Sequence, residues 1–309
     1  ILHAPQRASC HGRNQYVLDF SRKEVVDCIY DMMYKILSES KISYIKWDMN
    51  RSITECYSVA LPADRQGEVF HRYILGVYDL YERLTTAFPQ ILFESCASGG
   101  GRFDPGMLYY APQGWISDDT DAAERVRIQY GTSMCYPISS MGSHVSVVPN
   151  HQLNRITSLH TRANVAYFGT FGYELDLNKL TDEEIAEVKA QIIFMKEYRE
   201  LIQFGNFYRL KSPFDGNETV WMTVSEDKRK ALVFWYRERN VVNAEFTRVR
   251  LQGLDPDLIY KNEYNGTENY GDELMNLGLL TTDVTAGEPT NEDLPCTDYE
   301  SRIYVLTAE

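Results

Sequence analysis

Two stretches place carboxylates at spacings that could do chemistry. In Tyr44-Ile45-Lys46-Trp47-Asp48-Met49-Asn50-Arg51 an apolar run ends at Asp48, and the run reads as a buried strand. Side chains alternate along a strand, so Lys46, Asp48 and Asn50 share one face while Trp47 turns to the packing side. An ammonium two residues from Asp48 would hold that carboxylate ionised and could bond a substrate hydroxyl. Asn50 adds an amide donor and acceptor on the same face. The second stretch, Ser117-Asp118-Asp119-Thr120-Asp121, carries three aspartates. Clustered like charges favour protonation of one of them, which suits a proton donor at neutral pH. Glycoside hydrolysis with retention needs two carboxyl groups about 5 Å apart, one nucleophilic and one proton-donating. Asp48 and the Asp118/Asp119 pair meet that need if their strands converge. A lone strand-end aspartate most simply caps the following helix, and the Lys-x-Asp-x-Asn spacing is what points beyond that.

The other unusual segments are less specific. Glu94-Ser95-Cys96-Ala97-Ser98-Gly99-Gly100-Gly101-Arg102 follows an apolar run, and its glycines would let backbone approach a ligand closely. It lacks the Gly-Lys-Ser/Thr of a phosphate loop and the spacing of a dinucleotide loop. Cys96 suits a small side chain fitted against a ligand, since no histidine stands where a catalytic thiol would need its base. The aspartate cluster lacks the glycine and glutamate of a calcium loop, so one of its members, Asp119 or Asp121, reads as a helix cap. His144 and His151 lack a third metal ligand, which leaves them structural or rim roles. Arg13, just ahead of the first apolar run, could bind a hydroxyl or carboxylate.

These residues need elements to hold them. Tyr16 to Phe20 reads as a strand. Ser21 with Glu24 then reads as a capping box opening a helix to Glu39. A strand over Ile42 to Asp48, a helix over Phe70 to Phe88 and a strand over Gln90 to Glu94 follow, then a helix from Asp121 to Met134. Asn164 to Phe168 reads as a strand, and Thr181 with Glu184 caps a helix to Phe204. Strand–helix alternation implies parallel strands, with polar residues gathered at their C-terminal ends, as on the catalytic rim of a (β/α)8 barrel or at the switch point of a doubly wound sheet. After Gly205 short β-rich runs separated by turn residues (Val220 to Val224, Ala231 to Tyr236, Phe246 to Leu251, Leu258 to Tyr264, Ile303 to Leu306) predict an antiparallel β-sandwich. The 309 residues carry a net charge of −13, which argues against nucleic acid or an anionic membrane as partner. Six cysteines (Cys10, Cys28, Cys56, Cys96, Cys135, Cys296) lack CxxC spacing and read as reduced thiols. The sequence opens Ile1-Leu2-His3, which reads as an interior start.

Gly12 to Asp19, Lys46 to Arg51, Phe93 to Asp104, Trp115 to Asp121, and Ser143 to Ser146 with Pro149 to Gln152 together resemble family 36 of the glycoside hydrolases, the bacterial and fungal α-galactosidases. The resemblance implies a partial (β/α)8 TIM barrel over 1–204 and a C-terminal antiparallel β-sandwich over 205–309, without the family's N-terminal β-sandwich and first barrel strands. It implies a retaining exo-α-galactosidase that releases terminal α-1,6-linked galactose from melibiose- or raffinose-type oligosaccharides. Asp48 is then the nucleophile and Asp118 the acid/base, with Asp119 as the alternative. Arg13, Lys46, Asn50, Cys96, Ser98 and Trp115 are then substrate-binding. Ser98 stands where many members carry glycine and would narrow the pocket. No metal or other cofactor is expected, and the implied assembly is a cytoplasmic homotetramer. The alternatives are a related α-N-acetylgalactosaminidase, a galactosyltransferase of the raffinose-synthase kind, or an inactive sugar-binding fragment.

Overall fold

The structure, a computed structural model, describes residues 1–241, 246–281 and 298–308. These form two compact units, Ile1–Asp118 and Asp119–Glu309.

In the first unit α1 (Lys23–Glu39), β1 (Tyr44–Asp48), α2 (Val69–Ala87), β2 (Leu92–Cys96), α3 (Pro105–Tyr110) and β3 (Gln113–Trp115) alternate along the chain. β1 pairs in parallel with β2, and β2 with β3. Parallel strands need helical crossovers, and α2 is the one between β1 and β2. Its Tyr73, Val77, Leu80, Tyr81 and Leu84 recur at helical spacing and are all buried. They pack with Val26 and Leu37 of α1, Phe93 of β2 and Met107 of α3. Trp47 stacks on Tyr81 with ring centroids 4.4 Å apart, so the packing role expected of it holds.

Three local expectations for this unit change. β1 alternates exposed and half-buried residues rather than lying buried throughout, with Tyr44, Lys46 and Asp48 on the open face. Tyr16 to Phe20 forms no ladder: Leu2 N–H bonds Val17 C=O, and the chain then turns, with Phe20 N–H on Leu18 C=O and Arg22 N–H on Asp19 C=O. Ser21 does not cap α1, for Arg22 occupies that position. The Ser21 hydroxyl instead donates to the buried Asp19 carboxylate at 2.5 Å, and Glu24 pairs with Arg22. An ionised acceptor wins the hydroxyl because charge-assisted bonds are the stronger ones.

The second unit continues with α4 (Ala122–Ser133), β4 (Met141–Ser146), α5 (Leu159–Ala166), β5 (Thr170–Glu174) and α6 (Asp182–Phe204). β4 and β5 pair in parallel. The helix α6 begins with the predicted capping box, in which Thr181 and Glu184 satisfy each other's backbone N–H. Asn164 to Phe168, predicted as a strand, is instead mostly the end of α5. Ser158 caps that helix, and nearly every one of its residues is buried, so the segment shows no amphipathic periodicity. A short apolar run of that kind reads alike as buried strand or buried helix.

The rest of the unit is β-rich: β6 (Asn206–Lys211), β7 (Glu218–Val224), β8 (Lys230–Arg237), β9 (Arg248–Val249), β10 (Ile259–Asn262), β11 (Glu268–Tyr270), α7 (Gly271–Asn276), β12 (Leu279–Leu280) and β13 (Glu300–Ala308). Six strands form an antiparallel sheet in the order β11-β10-β13-β8-β7-β6, and β9 pairs with β12. One face of the large sheet (Val220, Met222, Val233, Trp235, Tyr304) packs on Val249, Leu251, Leu274 and Leu279, which makes the predicted sandwich. The opposite face is covered as well. There Trp221 stacks on Phe234 at 4.5 Å, and both meet Phe168. Burial on both faces explains why β8 is apolar over consecutive residues instead of alternating.

Candidate active site

The first unit holds Asp48, Asp118 and every residue predicted to bind substrate. Asp48 ends β1 directly opposite Cys96 of β2, and Lys46 lies opposite Glu94. The Asn50 amide donates to Asp48 Oδ2, as their shared strand face required. Ser98 then donates to Asn50 Oδ1 at 3.3 Å, which fixes which end of the amide faces Asp48.

Ser98 and Gly99 form a turn in which both residues have positive φ, 49° and 84°. Glycine is needed at the second position for a further reason. A Cβ on Gly99 would stand 3.0 Å from Asp118 N and 3.0 Å from Ser117 Cα, so the turn lies directly against the second aspartate segment. Asp118 is held from its other side by Trp115, whose indole N–H donates to Oδ1 at 2.9 Å. Trp115 is buried, and the Lys46 ammonium sits 4.4 Å above its ring centre, in cation–π range. Trp115 therefore connects Lys46 to Asp118, and its burial leaves little face open to a ligand.

The three clustered aspartates divide their tasks. Asp121 caps α4, accepting from Ala123 N and Glu124 N, and pairs with Arg155. Asp119 accepts from Asp121 N at 3.0 Å in the turn before the helix, and its charge lies close to the buried Arg125. Burial pushes that guanidinium down to about 10 against the opposing pull of Asp119. Asp118 is the one fastened to Trp115 and the glycine turn.

Cys96 is buried beside Asp48. Burial, first, and then the neighbouring carboxylate push its thiol up to about 11, so it stays protonated and acts as a weak donor. Alkylation at pH 8 should therefore label the exposed Cys10, Cys28 and Cys135 and spare Cys96, and peptide mass mapping reads the difference. Labelling of Cys96 at a rate matching the exposed thiols would contradict this assignment. Cys296 lies outside the described residues.

Arg13 is the predicted residue not drawn into this set. It is exposed on the turn closed by the Gly12–Gln15 bridge, with φ 52°, and does not line the cavity of about 190 Å³ beside Asp48 and Asn50. Several contributors went unassigned in the sequence. Arg51 is nearly buried and binds the carbonyls of Cys10, Gln15 and Ser52, tying the turn that carries Arg13 to the residue three after Asp48. Arg102 donates to Cys96 C=O at 2.8 Å and braces the start of the glycine loop. Each lies inside a recognised motif, but only burial reveals its role. His144 lies 3.4 Å from Glu174 in the second unit, and among the described residues no cluster has metal-ligand character. Nor is any described helix long and apolar enough to cross a membrane.

Comparison with known proteins places this arrangement. A family model described as Melibiase matches residues 1–205, and one described as the glycosyl hydrolase family 36 C-terminal domain matches 218–306. The chain is 55% identical over 278 residues to α-galactosidase AgaA of Geobacillus stearothermophilus and 52% identical over 279 residues to α-galactosidase Mel36A of Lactobacillus acidophilus. Each alignment covers 90% of this chain, which spans 38% of the length of either relative. The crystal structure of the Geobacillus GH36 enzyme superposes with a TM-score of 0.93 at 51% identity, covering 100% of this chain and 41% of that one. Doubly substituted variants of the Geobacillus enzyme have also been crystallised with raffinose and with stachyose. With parallel strands alternating with helices in each unit, a C-terminal antiparallel sandwich and both family models matched in order, the chain belongs to glycoside hydrolase family 36 as a partial (β/α)8 barrel followed by its C-terminal domain.

Proposed function

We propose that the whole protein is a retaining exo-α-galactosidase, with Asp48 as nucleophile and Asp118 as acid/base. The observation that carries this reading is that both aspartates are fastened to one turn, Asp48 through Asn50 and Ser98, and Asp118 through its close packing on Gly99. Spacing supports it too. The Geobacillus structures with raffinose and stachyose each carry one substituted aspartate that the other lacks, and those two aspartates lie 70 positions apart, as Asp48 and Asp118 do here.

Within this reading the hydrogen bonds support a division of work among individual oxygens. Asp48 Oδ2 accepts from Asn50, which leaves the other oxygen to attack the anomeric carbon. An indole N–H can only donate, so Asp118 Oδ1 is an acceptor and the acidic proton belongs on Oδ2. That proton passes to the departing glycosidic oxygen as Asp48 forms the galactosyl ester. Asp118 then takes a proton from the water that breaks the ester, and two inversions give net retention. Lys46, Asn50 and the Cys96 thiol supply hydroxyl contacts to galactose, Ser98 narrows the pocket, Trp115 acts by carrying Lys46 and Asp118, and Arg13, outside the cavity beside Asp48, is kept as an outer contact of the ligand. Within the same reading, the substrates are terminal α-1,6-galactosides of the raffinose and melibiose type. The catalytic barrel ends at 204 and the sandwich occupies 205–309, and the whole protein is a cytoplasmic homotetramer.

The test is stereochemical. Hydrolysis of nitrophenyl α-galactoside by the complete polypeptide, followed by proton NMR, is expected to give α-galactose before mutarotation. First appearance of the β anomer would rule out a double displacement.

A further inference from the structure

Glu94 is a buried carboxylate that this chemistry does not use. It is 1% exposed on β2, opposite Lys46 of β1, and Lys46 Nζ lies 3.6 Å from its Oε1. Its Oε2 accepts from the Tyr44 hydroxyl and from Gln113 Nε2 at 3.1 Å. Gln113 Nε2 also reaches the Tyr44 oxygen at 2.7 Å, so three strands contribute to one network. The interior layers of a parallel barrel are ordinarily filled by branched apolar side chains, and a carboxylate there is costly unless paired. Lys46 offsets that cost: its ammonium lies 3.6 Å from Glu94 Oε1 and 4.4 Å from the centre of the Trp115 ring.

We propose that Glu94 is a positioning residue for galactoside binding: oriented by Tyr44 and Gln113, its carboxylate fixes the Lys46 ammonium in one place before substrate arrives. A lysine side chain has four rotatable bonds, and ordering them on binding weakens affinity. Prior pairing with Glu94 removes that cost and sets the direction of the ammonium beside Asp48. The inference rests on the reading of Lys46 as a substrate ligand.

A double-mutant cycle on the complete polypeptide with nitrophenyl α-galactoside tests it. Glu94→Gln is expected to raise KM about tenfold while kcat changes by less than about threefold, the pattern of lost uniform binding. Tyr44→Phe should act in the same direction and less strongly. Lys46→Ala should raise KM at least as much as Glu94→Gln, and the pair Lys46→Ala with Glu94→Gln should be no worse than Lys46→Ala alone, because Glu94 then has nothing left to position. Effects that multiply across the pair would overturn the proposal. So would a Glu94→Gln protein that loses turnover only in step with its folded fraction at unchanged KM. Should Glu94→Gln fail to fold, Tyr44→Phe in the Lys46→Ala background completes the same cycle. An unchanged KM and kcat in Lys46→Ala would instead sink the reading of Lys46 as ligand, and this proposal with it.

Discussion

Asp48→Gly is expected to lower kcat/KM for nitrophenyl α-galactoside by about 10⁴-fold or more in the complete polypeptide, equivalent to about 5.5 kcal/mol of transition-state stabilisation. The side chain removed is the one aimed by Asn50, and no second carboxylate stands in its place, since Asp118 is held by Trp115. The structure also makes a qualitative prediction that a merely damaged protein would not share. Removal of the Asp48 side chain leaves a space on the face of the sugar opposite the leaving group, and azide can occupy it. With an activated α-galactoside, added azide should restore turnover and yield β-galactosyl azide, formed by a single inversion. Near-normal hydrolysis in Asp48→Gly, or the absence of that azide in a folded variant, would remove Asp48 from the role of nucleophile.

How much of this was legible beforehand differs by element. The face shared by Lys46, Asp48 and Asn50 follows from strand alternation alone, and the structure keeps it: Lys46 and Asp48 lie on the open side of β1, and Asn50 bonds Asp48. The capping box of α6 was equally plain, because Thr181 and Glu184 satisfy each other locally without help from distant residues. Ser21 and Glu24 carry the same pattern, but Asp19 and Arg22 outcompeted the backbone for their side chains. That competition depends on where Asp19 is buried, which no local pattern records. The α5 segment failed for a related reason, since complete burial erases the periodicity that marks a helix. In the site, the motif residues were visible and their supports were not. Glu94, Gln113 and Tyr44 meet only through strand register, across 50 and 69 positions of sequence. Trp115 is expected from its motif to belong to the sugar site, and its contacts with the Lys46 ammonium and with Asp118 are supports that no local pattern records.

The division of tasks among the clustered aspartates sets the second large effect. Asp118→Asn should lower kcat/KM for raffinose, whose leaving group needs a proton, by about 10³-fold, within the usual range for loss of a general acid. A dinitrophenyl galactoside, whose leaving group departs unprotonated, should lose far less in its first step and should accumulate the galactosyl ester on Asp48. Azide needs no base, so it should discharge that ester and give α-galactosyl azide, the anomer opposite to the one expected from Asp48→Gly. Asp119→Asn keeps an oxygen able to accept from Asp121 N, so it should cost less than about tenfold on either substrate, chiefly through the helix entry and its proximity to Arg125. The two variants thus separate the neighbours by kind as well as by size, because only loss of the true acid/base makes the rate depend steeply on leaving-group acidity. A steep dependence in Asp119→Asn with a flat one in Asp118→Asn would transfer the role to Asp119. The indole bond from Trp115 would then be holding a carboxylate that takes no part in proton transfer.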